Sequence, residues 1–193
     1  VDECVQVTRA LKELGGDILV VHPAVKTFDM KDLEEKKRRV AKAKISVAEI
    51  REEARSLGCR VALENLLPHI LGGEVSVLMD LIHDFRGSSI GICFDSSHAN
   101  LWKSPKVEDY LKSVSAHVIS THFSDNHGQY DDHQPPGDGE MNWPAMLKVL
   151  KDSAYQGVFM LEVLGKSRSR DPDEVIPHSF EQVSRILEKE GML

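Results

Sequence analysis

Five short apolar runs in this chain each finish on a side chain able to bind a metal ion. "DILVVH" ends on His22, "VALE" on Glu64, "GICFD" on Asp95, "VISTH" on His122 and "FMLE" on Glu162. Glu64, Asp95, His122 and Glu162 together offer carboxylates and one imidazole, a set suited to a hard or borderline divalent ion such as Mn²⁺, Mg²⁺, Co²⁺ or Zn²⁺. No thiolate pair accompanies them, which argues against a structural zinc knot, and coordination positions stay open for a substrate. One Glu or His at a strand end is ordinarily a cap or a salt-bridge partner. Recurrence at equivalent places is what points to a site.

A second group lies just outside the first. In "DSSH", His98 follows Asp95 by three residues, and "DDH" supplies Asp131 and His133, which point the same way if that stretch is extended. His22 joins them as a further imidazole at a strand end. The expectation for these residues is a second ion or the orientation of substrate hydroxyls, with a hydrogen-bonded loop as the equal alternative. They sit around "THFSDNHGQYDDHQPPGDGEMNW" (121–143), in which Asp125, Asn126 and His127 read as turn residues. "PPGDG" reads as a rigid turn with Gly137 and Gly139 free to take positive φ. Asp132, His69, His83, His117 and His178 stand in loop, helix or early-strand contexts and are expected to be solvated or satisfied. No phosphate loop, GxSxG elbow or cysteine nucleophile pattern is present.

Short apolar runs alternate with 3.6-period segments along the whole chain, the signature of parallel βα units. Strands are expected at 17–22, 59–65, 89–95, 117–125 and 157–163, each apolar enough to be covered on both faces. Helices are expected near 3–14, 30–57, 74–85, 106–114, 143–153 and 173–190, with Gly15-Gly16, Gly58 and Gly87 as stops. In a parallel α/β barrel the C-terminal strand ends share one mouth, and the loops there carry the chemistry. The fold class is therefore α/β, a TIM (β/α)8-type barrel. A closed barrel takes about 250 residues, so 193 residues with five strands are expected to be part of one, in a single domain spanning 1–193.

Composition narrows the partners. A net charge of −7, with no clustered Lys/Arg beyond the mixed run "KDLEEKKRR", lowers the case for nucleic acid. Cys4, Cys59 and Cys93 are scattered and without a CxxC, as expected of buried free thiols in a reducing compartment. No apolar stretch approaches the ~20 residues of a membrane span and no signal-peptide pattern opens the chain, so a cytoplasmic protein is expected.

"VALENL" (61–66), "GICFDSSHA" (91–99), "HFSDN" (122–126), "DDHQPPGDGEMNW" (131–143) and "FMLEV" (159–163) resemble the xylose isomerase-like TIM-barrel superfamily, in order over nearly the whole chain. That superfamily joins sugar and sugar-phosphate isomerases and epimerases to the endonuclease IV family of abasic-site nucleases. The resemblance implies that Glu64, Asp95, His122 and Glu162 form the common metal site. It also implies that Glu64 and Glu162 are the acid/base pair of a metal-chelated enediolate mechanism on a small sugar or sugar phosphate, with His98 on substrate oxygens. In the nuclease branch a multinuclear zinc site additionally uses residues matching His22, His98, Asp131 and His133. "PPGDGEMNW" is similar to the isomerase-type "PGxGxIDW", with Asn142 in place of Asp. "LWKSPK" (101–106), with Trp102, Lys103 and Lys106, is the nearest thing to a DNA-contacting loop. The five strands match the fourth to the eighth of the family's barrel, so the missing wall is expected from an upstream segment or from a second copy in a homo-oligomer.

Overall fold

The computed structural model describes residues 1–24, 27, 29–85, 89–102, 104–164 and 171–193; Gly87 and Lys103 lie outside these. The chain divides into two compact units, Val1–Cys93 with His117–Ser120, and Phe94–Ala116 with Thr121–Leu193.

The first unit begins with α1 (Asp2–Glu13), whose Asp2 and Glu3 at the start and Lys12 at the end complement the helix dipole. β1 (Ile18–Val21) follows and pairs in parallel with β2 (Arg60–Glu64), from Ile18↔Arg60 to Val21↔Leu63. Between them runs α2 (Leu33–Ser56). Its N-cap Asp32 accepts from the backbone N–H groups of Glu34 and Glu35, and Gly58 beyond its end takes φ 71°. Ala43, Val47, Ile50 and Ala54, spaced three and four apart, are its buried stripe. α3 (Val75–His83) leads to β3 (Ile90–Asp95), which pairs with β2 from Val61↔Ile90 to Glu64↔Cys93. β4 (Val118–His122) takes the fourth place in the sheet order β1-β2-β3-β4.

Coverage on both faces holds for the centre of this sheet and not for its margins. β2 is buried from Val61 to Glu64 and β3 along its whole length, whereas most of β1 is half-exposed. Gly91 shows how tight the interior is: a Cβ there would meet the His117 carbonyl at 2.7 Å and Ile119 at 2.8 Å. Glycine is required by close approach, since its φ is not in the left-handed region.

The second unit contains the end of β3, then α4 (Ser96–Asn100), a short helix with no periodic signal in the sequence. Asp95 is its N-cap, accepting from His98 N at 2.7 Å. α5 (Val107–Val114) buries Val107, Tyr110, Leu111 and Val114. α6 (Trp143–Asp152) is capped by Asn142 and α7 (Pro172–Lys189) by Asp171, both with Pro in the first turn.

The fifth expected strand is reduced. Segment 157–163 forms one isolated parallel bridge, Phe123↔Leu161. Phe123 N–H donates to Met160 O at 2.7 Å, and Glu162 N–H to Phe123 O at 3.0 Å. Just before them, the Thr121 hydroxyl donates to Val158 O at 3.1 Å and accepts from Met160 N–H at 3.2 Å, replacing ladder bonds. Phe123 also stacks on Phe159 at 5.6 Å and meets the edge of Trp143 at 5.3 Å.

Candidate metal centre

Three expected ligands converge inside the second unit. Asp95 at the end of β3, His122 at the end of β4 and Glu162 on the bridged segment each place a ligand atom within 4.8 Å of the others. His122 Nδ1 is 2.6 Å from Glu162 Oε2. Asp95 is fully buried and uses Oδ1 as the α4 cap, so one carboxylate fixes both a helix start and its own direction. Two carboxylates this close to one another repel unless a cation or protons separate them. An oxygen-and-imidazole set of this kind fits a divalent ion.

The outer group forms beside it. Asp95, His98 and His133 also offer ligand atoms within 4.8 Å of one another, and all three residues are buried. The Asp131 carboxylate lies 3.3 Å from His98 Nε2 and 3.2 Å from His133 Nε2. These two imidazoles stand edge to face, with centroids 5.6 Å apart. Burial opposes charge on both Asp131 and His133, yet their mutual contact prevails. With Asp95 adding its charge, the His133 ring is pushed up to about 9, while the two imidazoles hold the Asp131 carboxyl well below the usual range. Asp131 and His133 meet through a bent backbone and not an extended one, since His133 takes φ 45°, a region rare for a non-glycine residue. The His133 ring is further held at Nδ1, which lies 3.1 Å from Ser124 Oγ and 3.0 Å from Glu162 O.

Glu64 and His22 belong to the first unit. Glu64 is buried at the end of β2, with its Oε2 3.2 Å from His22 Nε2. His22 lies one residue past the end of β1 and is exposed. In this unit Cys93 Sγ also comes within 4.8 Å of a Glu64 ligand oxygen; Cys59 and Cys93 are buried as expected, whereas Cys4 on α1 is only partly covered.

Asp125 and Asn126, expected as turn residues, are wholly buried. The Asp125 carboxylate accepts from the N–H groups of Asn126 at 2.9 Å, Gly137 at 3.0 Å and Met141 at 3.2 Å, and from the Trp143 indole at 2.7 Å. Its backbone exchanges two hydrogen bonds of 2.8 Å with Gln134. Gly137 takes φ 87° as expected, but Gly139 does not. A Cβ at Gly139 would fall 2.2 Å from Asp125 Oδ1, so its role is to admit the carboxylate. No alternation in the sequence marked it, since Ser124 and Asn126 on either side are equally buried; a buried carboxylate requires donors wherever it falls. Asn142 needs no site role, because its side chain caps α6 through Ala145 N at 3.2 Å. Among the described residues no helix is long and apolar enough to cross a membrane.

Parallel βα units whose strand ends carry carboxylates and imidazoles define a class of barrel-related proteins with candidate metal-ligand groups. The chain belongs to the xylose isomerase-like TIM barrel family, whose model matches residues 1–186. A relative in Methanocaldococcus jannaschii, the uncharacterized protein MJ1311, is 30% identical over 149 residues, covering 75% of this chain and 51% of its own. The chain thus spans about half the length of this curated relative. Among solved structures, a D-tagatose 3-epimerase-like protein superposes with TM-score 0.81 at 23% identity, over 97% of this chain and 68% of that one. The IOLI protein, solved with a bound zinc atom, superposes with TM-score 0.80 at 18% identity, over 98% and 69%. These likenesses show that the chain has the fold of part of a TIM barrel.

Proposed function

We propose that the chain is the site-bearing part of a divalent-metal-dependent sugar or sugar-phosphate isomerase or epimerase. The observation that carries this reading is the convergence of Asp95, His122 and Glu162 ligand atoms within 4.8 Å. Glu64 is assigned as the fourth ligand from the family motif, as is its pairing with Glu162 in proton transfer. When bound, the ion polarises a carbonyl and its neighbouring hydroxyl on the substrate. The Glu162 carboxylate takes or returns the proton on the carbon beside that carbonyl, and Glu64 does the same from the other face. His98 and Asp131 hold substrate hydroxyls. The epimerase-like structural neighbour and the zinc-bound one are consistent with this chemistry.

The test is exchange of a substrate proton with solvent deuterium across ketopentoses and ketohexoses, with and without phosphate, in the metal-loaded protein. Glu162→Gln is expected to slow exchange by at least ~10²-fold. Exchange at the wild-type rate would remove Glu162 from the mechanism.

A second reading draws on the buried Asp95, His98 and His133 group, which favours more than one ion and hence phosphodiester hydrolysis at abasic sites. Its test is cleavage of abasic-site duplex DNA together with a count of about three ions per chain, against one for the isomerase.

A further inference from the structure

Glu162 sits on a segment that lacks a regular ladder, so something other than strand pairing must fix its carboxylate. Phe123 and Thr121 hold the approach, from Val158 to Glu162. Beyond Glu162 the backbone is tied to His133, twice. His133 Nδ1 is 3.0 Å from the Glu162 carbonyl oxygen, and Leu164 N–H donates to His133 O at 3.1 Å. A carbonyl oxygen only accepts, so the bond to Glu162 uses the tautomer with its hydrogen on Nδ1, the nitrogen that also lies 3.1 Å from Ser124 Oγ. The remaining nitrogen, Nε2, faces Asp131 at 3.2 Å. His133 also bears φ 45°, a backbone conformation that persists where surrounding contacts over-determine it. Its hydrogen bonds to Glu162 and Leu164 supply such contacts.

We infer that His133 is a positioning residue for Glu162, bracing the Glu162–Leu164 backbone through Nδ1 and its own carbonyl. The inference rests on the reading that Glu162 is an ion ligand. It also explains how a carboxylate on a singly bridged segment can be held in a defined direction, as a pre-organised ligand requires.

Asparagine and glycine separate the roles. His133→Asn keeps an N–H donor where Nδ1 stands and tolerates a left-handed backbone, but has nothing at the Nε2 position. His133→Gly accepts the same backbone and lacks any donor. Cobalt(II) is titrated into the chelator-stripped full chain, with ions per chain counted and hydrogen exchange followed at Leu164. His133→Asn is expected to bind the ion held by Glu162 with affinity within about threefold of wild type, and to keep Leu164 protected. His133→Gly is expected to bind that ion about 10–100-fold more weakly, with Leu164 exposed to exchange. An affinity and a Leu164 exchange in His133→Asn as poor as those of the glycine variant would overturn the brace. If His133→Gly does not fold, His133→Gln takes its place, since it reaches toward Nε2 and lacks the near donor. Failure of the wild type to bind cobalt overturns the metal reading instead, while Leu164 exchange in the same variants still decides the brace.

Discussion

Glu64 and Glu162 are held by opposite means. Glu64 ends a strand whose neighbours on both sides are in register, Val21↔Leu63 and Glu64↔Cys93, and it is buried with the strand. Glu162 ends a segment with a single bridge, and side chains stand in for the ladder: Thr121 before it, His133 beside it, and Asp125 behind the loop that carries His133. A ladder distributes its task over repeating backbone bonds, so no one side chain matters much to it. A brace concentrates the task in a few side chains, each of which matters a great deal.

The largest expected effect is at the hub of the braced region. Asp125→Ala leaves the Gly137 and Met141 amides and the Trp143 indole without their acceptor. Orphaned buried donors should cost on the order of 4 kcal/mol in denaturant unfolding. Hydrogen exchange should show protection lost over 131–143 and retained in β2. Protection lost equally in both would break the contrast. Next, Leu63→Ala removes a fully buried side chain from β2 and should cost about 3 kcal/mol through the cavity it leaves. Because the ladder itself survives, exchange at β2 amides should fall only with global stability. Selective unzipping of β2 would show that its pairing depends on one side chain after all.

The smallest effect is a pH dependence confined to the brace. His133 titrates at about 9, above its ordinary unfolded value of about 6.5, so its contribution is full below about pH 6.5 and is lost as pH rises through 9. Asp131 is depressed, so its contribution is full above about pH 4 and is lost as pH falls further. Chelator-stripped protein should therefore melt highest between about pH 4 and 6.5 and decline on the alkaline side. His133→Asn should lack the alkaline decline. Its persistence in that variant would assign the titration to another group.

The alternation of apolar runs and amphipathic stretches was enough to place β1 to β4 and α1, α2, α3, α5, α6 and α7, because periodicity is a local property of the chain. α4 escaped, being five residues long and specified chiefly by its Asp95 cap. The 157–163 run has strand composition, yet composition does not report how many ladder partners a segment finds.

By itself the sequence determined which residues could do chemistry, since carboxylates and imidazoles at the ends of apolar runs are a matter of residue type and phase. Only the tertiary structure decided which of them meet and what else holds them. Asp125 became a buried acceptor of four N–H groups, His133 took a left-handed backbone, and Asp95 joined His122 and Glu162. The physical reason is that a buried polar group is defined by its partners, and those of Asp125 and His133 include groups 9 to 29 residues away in hydrogen-bonded positions that no local pattern records.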